Sequence, residues 1–156
     1  MAYSYQEICQ GEEPWIALGN FMNAWHGDAK TQRLVLVKDP LVTLENITPE
    51  LQKWATFIAA SVEWFCKEYD LPCPTWIYNP TYNLSEPWFY SIGADREKVR
   101  QQLMRETPEP FTRRNIYCGK DVSANKYELG KLIAEIREIK ARKAQSNLAS
   151  TSHSAI

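Results

Sequence analysis

Apolar and polar positions alternate at helical spacing in three stretches of the chain and lose all period in a fourth. Trp15, Leu18, Met22 and Trp25 recur every three or four residues, with Ile16 and Phe21 widening the stripe. That spacing predicts a helix, opened by Glu12-Glu13-Pro14 and closed by His26-Gly27-Asp28. Before it, Tyr3 to Cys9 predicts no more than one loose turn stopped by Gly11. The segment 28–39 is ambiguous. Leu34-Val35-Leu36-Val37 has the makings of a buried strand, but no second strand pattern exists to pair with it, so a short helix closed by Asp39-Pro40 is the expectation.

The clearest element follows. Thr48-Pro49-Glu50 reads as N-cap, first-turn proline and first-turn acid. Leu51, Trp54, Ala55, Ile58, Val62, Phe65, Cys66 and Tyr69 then keep a 3.6 period, with Ala59 and Ala60 allowing close approach of a neighbour. Trp54, Ile58, Val62 and Phe65 are expected to be deeply buried in this central helix, while Glu63, Glu68 and Asp70 read as solvated helix acids. From Leu71 to Phe89 the period disappears, and Pro72, Pro74, Pro80 and Pro87 forbid a long helix. The same stretch holds Trp76, Tyr78, Tyr82, Trp88 and Phe89, too many rings for a disordered linker. An ordered strap laid over the helical core is predicted.

Gly93-Ala94-Asp95 caps a helix expected over 96–105, and Thr107-Pro108-Glu109 repeats the cap, proline and acid device to start a short helix ending near Asn115. Ile116-Tyr117-Cys118 reads as extended. A last helix is expected over 124–143, with the stripe Leu129, Leu132, Ile133, Ile136 and Ile139 between charged flanks, followed by a polar, disordered tail over 146–156. The predicted fold is therefore all-α: one compact helical domain over 1–145 around a long central helix, with a Pro/aromatic strap and a charged C-terminal helix.

Composition narrows the function. No stretch approaches eighteen apolar residues, and the N-terminus lacks the basic and apolar regions of a secretory signal, which leads to the expectation of a cytoplasmic protein without a membrane span. Four scattered cysteines without a Cys-x-x-Cys pair, and only His26 and His153 beside them, predict free thiols and no metal or other cofactor. No phosphate loop or nucleophile elbow is present, and His26, at the end of an aromatic helix, reads as a packing residue, so no catalytic residue is assigned and the chain is not expected to be an enzyme. The net charge of −1 divides into −6 over residues 1–88 and +5 over residues 89–156.

Six tryptophans and eight tyrosines exceed what a small helical core needs. Such rings are enriched in binding hot spots. Trp76, Tyr78, Tyr82 and Trp88 are therefore the candidate partner-binding aromatics, joined by Arg113, Arg114 and Asn115. The arginine pair suits either the negative end of its short helix or a bidentate contact to a carboxylate or phosphate, the dipole role being the simpler. A protein partner is the leading expectation. A small nucleic-acid regulator using the basic half is the alternative, and self-association through the C-terminal helix is a further expectation.

Leu71-Pro72-Cys73-Pro74-Thr75-Trp76, Pro87-Trp88-Phe89 and the run Pro108-Glu109-Pro110-Phe111-Thr112-Arg113-Arg114-Asn115-Ile116 also carry a resemblance. The chain resembles, over about residues 50–118, a poorly characterised family of small bacterial proteins with a Leu-Pro-x-Pro-x-Trp, Pro-Trp-Phe and Pro-x-x-Phe-x-Arg-Arg-Asn-Ile pattern. Members of that family are often encoded beside nucleotidyltransferase-like or other toxin-type genes, so the resemblance implies an antitoxin-like protein whose partner is a neighbouring toxin. Many carry a helix-turn-helix domain in front. None is recognisable here, and a charged helix is predicted where the family pattern ends.

Overall fold

A computed structural model describes residues 1–27, 29–43 and 45–121, together with 138, 139, 141 and 142. The first helix, α1 (Ala2–Cys9), is longer than the single turn predicted. Tyr5 and Ile8 are buried on one face, and the Tyr5 hydroxyl donates to the Leu51 carbonyl at 3.4 Å. Tertiary burial thus completes a helix whose own sequence is a weak helix former. Gly11 then turns the chain at a φ of +98°, a conformation open to glycine at little cost.

Helix α2 (Pro14–His26) starts as its sequence predicts, with the Glu13 carboxylate capping the Ile16 N–H at 3.1 Å. Leu18, Phe21 and Trp25 are buried, whereas Ile16 projects into solvent, 54% exposed, and does not widen the stripe. The ambiguous segment is helical: a 3-10 turn over Lys30–Gln32 leads into α3 (Arg33–Val37). Only Val37 of its apolar run is buried, and Leu34 and Val35 remain exposed.

Helix α4 (Pro49–Glu68) is the centre of the molecule. Thr48 Oγ1 accepts from the Leu51 N–H at 3.2 Å, the cap read from the sequence. Trp54, Ile58, Val62 and Phe65 are all buried, and so are Ala59 and Ala60, because neighbours cover the helix on more than one side. Trp25 and Phe65 pack at 5.1 Å between ring centroids, and His26 lies in the same cluster, its Nδ1 3.1 Å from the Tyr69 hydroxyl. Burying each such ring contributes about 1.5–3 kcal/mol, so this seam dominates stability.

The strap contains two 3-10 turns, Thr75–Tyr78 and Pro80–Tyr82, and no α-helix. It ends in β1 (Trp88–Phe89), which runs parallel to β2 (Ile116–Tyr117), pairing Trp88 with Ile116 and Phe89 with Tyr117. The fold is therefore mostly helical but not purely α. Between the strands lie α5 (Glu97–Glu106) and α6 (Glu109–Thr112). The ladder exists because Asn115, at a φ of +62°, reverses the chain after α6 and lays the next residues beside β1. No helix among the described residues is long and apolar enough to cross a membrane.

These elements belong to one unit, Met1–Ser123. The predicted C-terminal helix over 124–143 and the tail over 146–156 lie outside the described residues, apart from Glu138, Ile139, Ala141 and Arg142. Those four are helical and exposed, with Arg142 3.6 Å from Glu138.

Candidate partner-binding cleft and its charged brace

Glu63, read from the sequence as a solvated acid, is 1% exposed. Its burial has a specific cause. One carboxylate oxygen, Oε2, accepts from Arg114 Nη1 at 2.7 Å and also from Arg113 Nη2. The other, Oε1, lies 2.9 Å from Lys67 Nζ. Burial alone pushes the carboxyl up, but hydrogen bonds from Lys67, Arg114 and Arg113 outweigh it and hold Glu63 below its ordinary value. Glu109 completes the cluster at the surface, 3.2 Å from Lys67 and 3.3 Å from Arg113. Glu68 and Asp70, by contrast, are exposed as predicted.

Arg114 does more than neutralise Glu63. Its Nη1 also donates to the Pro110 carbonyl at 2.7 Å, and its Nη2 to the Ile77 carbonyl, inside the strap, at 3.0 Å. Asn115 carries the same function further along. Its Nδ2 donates to the Leu84 carbonyl at 2.8 Å, the Leu84 N–H donates back to the Arg114 carbonyl at 3.3 Å, and the Trp88 N–H donates to the Asn115 carbonyl at 2.8 Å. The Arg113-Arg114-Asn115 run thus fastens the strap at Ile77, Leu84 and Trp88. A segment with four prolines and little repetitive hydrogen bonding is held by side chains from elsewhere.

The strap aromatics divide by environment. Trp76 is half-buried, donating from Nε1 to the Val37 carbonyl at 2.9 Å and meeting Tyr82 edge-on at 5.6 Å. Burial raises the Tyr82 phenol above its ordinary value. Trp88 is half-buried among Trp54, Phe57 and Tyr90, 5.4 Å from Trp54. Tyr78 is the outward ring, 54% exposed, with its hydroxyl against Cys73. Of the seven residues singled out in the sequence, Trp76, Tyr82, Trp88, Arg114 and Asn115 build the strap's seat, while Tyr78 and Arg113 reach the surface.

Two adjoining hollows open where the strap passes the first turns of α4. The larger, about 520 Å³, is lined by Pro49, Gln52, Lys53 and the strap residues Pro80, Thr81 and Leu84, among others. The smaller, about 130 Å³, is lined chiefly by Leu41, Val42, Ile47, Ala55 and Tyr82. They share Gln52 and Thr81, and Gln52 Nε2 donates to the Thr81 carbonyl, tying helix to strap at the cleft floor. Val42 and Ile47 stay 45% and 41% exposed at its mouth. The cleft is not legible in the sequence. The loop before α4 carries Leu41, Val42, Leu44 and Ile47 among polar residues without a helical or strand period, and the walls come from segments about thirty residues apart.

No group of three or more His, Cys, Asp or Glu placed to hold a metal ion occurs among the described residues. Comparison of the chain with family models, with curated proteins and with solved structures finds no match.

Proposed function

We propose that this protein is the antitoxin-like or accessory component of a bacterial two-gene module, binding a protein partner and acting by occupying its surface. The observation that carries this reading is the cleft between α4 and the strap. It is concave and lined in both hollows by mostly apolar surface, and its strap wall is held by Arg114 and Asn115. A site organised before binding loses less entropy when the partner arrives. The likeness of the strap and Arg-Arg-Asn motifs to the family described above supplies the toxin-type partner. The charged side chains of the Arg-Arg-Asn motif, Glu109, Arg113 and Arg114, are already paired inside the fold, which favours a protein surface over a phosphate backbone as the target.

The test is co-expression with the product of the adjoining gene, followed by co-purification at two salt concentrations. A complex that survives from 50 to 200 mM salt supports the reading. Binding carried by six to ten phosphate contacts instead falls about 10³–10⁵-fold over that range. Such a fall, with nucleic acid in the purified material, would overturn the protein-binding role in favour of a nucleic-acid regulator.

A further inference from the structure

The C-terminal end of α4 brings two thiols together. Asp70 stands in the left-handed region at a φ of +51°, and the Leu71 N–H reaches back to the Cys66 carbonyl at 2.8 Å. A cap of this kind turns the chain back at a helix end. Two residues later Cys73 packs on the core cluster that contains Cys66. Their thiols lie within side-chain hydrogen-bond reach of each other, and the Tyr78 hydroxyl lies within reach of Cys73. The strap beyond Cys73 is pinned, with Trp76 Nε1 on the Val37 carbonyl and Arg114 Nη2 on the Ile77 carbonyl. Cys73 is thus held against Cys66 from both directions along the chain. Both are free thiols, but only Cys73 is accessible, being half-buried where Cys66 is wholly buried. Burial first, and the neighbouring Cys73 second, raise the Cys66 thiol above its ordinary value, so Cys73 is the sulfur that an oxidant meets. The other two cysteines are engaged elsewhere, Cys9 with Tyr5 and Cys118 with the Gly119 carbonyl.

We propose that peroxide converts Cys66 and Cys73 to a reversible disulfide that locks the start of the strap onto the end of α4. Hydrogen peroxide transfers one oxygen to the Cys73 sulfur, giving a sulfenic acid, and leaves as water. The Cys66 sulfur then bonds to the Cys73 sulfur, the S–O bond breaks, and the hydroxyl departs with the Cys66 proton as a second water. Two thiols thus lose two hydrogens while one peroxide becomes two waters, and a dithiol reductant reverses the change. The bridge closes only residues 66–73, around a cap that already holds the two sulfurs close. It also draws the Cys73 sulfur away from the hydroxyl of Tyr78, the outward ring of the strap, so that the redox state is felt at an exposed aromatic side chain.

Trypsin makes the bridge visible, because Lys67 separates the two cysteines: residues 54–67 and 68–96 leave as separate peptides unless a disulfide joins them. The reduced full chain is treated with hydrogen peroxide in the absence of denaturant and compared with an untreated sample. Thiols titrated after unfolding fall from four per chain to two. The intact mass drops by two hydrogens, non-reducing digestion yields the joined peptide, and dithiothreitol reverses all three changes. The thermal midpoint of the oxidised chain rises by about 3–8 °C, as expected for closure of a short loop. Cys73→Ser and Cys73→Ala, at a half-buried position, keep their remaining three thiols, give no joined peptide and show no rise. A treated chain that retains four thiols, links Cys73 to a second chain, or carries sulfinic acid at Cys73 without the joined peptide overturns the proposal. A joined peptide with an unchanged or lowered midpoint overturns the lock.

Discussion

The two ends of α4 treat polar groups in opposite ways. Near the C-terminal end, Glu63 is buried with both oxygens met by cations, and Arg114 beside it is bonded to one carboxylate and two carbonyls. At the N-terminal end, Gln52 and Lys53 are half-buried and line a cleft that also holds the exposed Glu86, which has no cation within 4.0 Å among the described residues. A group whose partners are all supplied by its own chain has nothing left to offer a ligand, so the first end is architecture. The second end keeps apolar surface and charge in reserve. The difference separates what the motif does from where binding occurs: the Arg-Arg-Asn run works at a distance, by holding the strap that forms one wall of the cleft.

Substitutions sharpen that contrast. Arg114→Ala removes the buried one of the three cations on Glu63 and strands the Ile77 and Pro110 carbonyls, so it lowers unfolding free energy by about 3–5 kcal/mol, read from urea midpoints. Loss of less than 1 kcal/mol would show that Glu63 is hydrated and that the brace is not structural. Asn115→Ala is next. It gives up the bond to Leu84 and places a residue with a Cβ, lacking the local hydrogen bonding that suits Asn, at φ +62°; the two effects sum to about 2–3 kcal/mol. Asn115→Gly keeps the backbone freedom and recovers part of that loss, which distinguishes strain from the missing hydrogen bond.

Acid provides a milder probe of the same cluster. The folded-state pKa of Glu63 lies below its ordinary value of 4.5. Its contribution to stability is thus complete above that value and is lost as the pH falls through the lower, folded value. Glu63→Gln, if it folds, flattens this part of the acid-unfolding curve; an unaltered curve would assign acid sensitivity to other carboxylates. The smallest expected effect belongs to the other end of the helix. Glu86→Lys, exposed on the larger hollow, changes stability by no more than about 0.5 kcal/mol. A large loss of stability from it would mean that this rim acid is part of the architecture after all.

Local chemistry explains which features were legible in the sequence. The Thr48 cap, the Glu13-Pro14 helix start and the long apolar period of α4 are encoded by neighbours in the chain, and each stands where it was read. Glu63 was misread because a lone acid on a helix is ordinarily solvated, and its three cationic partners sit at the end of its own helix and some fifty residues away. The length of α1 depends on packing beneath Tyr5 and Ile8, and the β1–β2 ladder on the left-handed Asn115, neither of which leaves a periodic signal. The strap was recognisable as ordered from its rings, but its bend around α4, and hence the cleft, comes from contacts distant in sequence.

Amide hydrogen exchange tests the brace most directly. In the native chain the Leu84 and Trp88 N–H groups, bonded to the Arg114 and Asn115 carbonyls, exchange slowly. In Asn115→Ala both exchange faster by about one to two orders of magnitude, corresponding to about 1.4–3 kcal/mol of lost stability, and amides in the middle of α2 and α4 lose protection no further than the variant's global stability falls. Unchanged protection at Leu84 and Trp88 in the variant would contradict the claim that the Arg-Arg-Asn motif holds the strap in place.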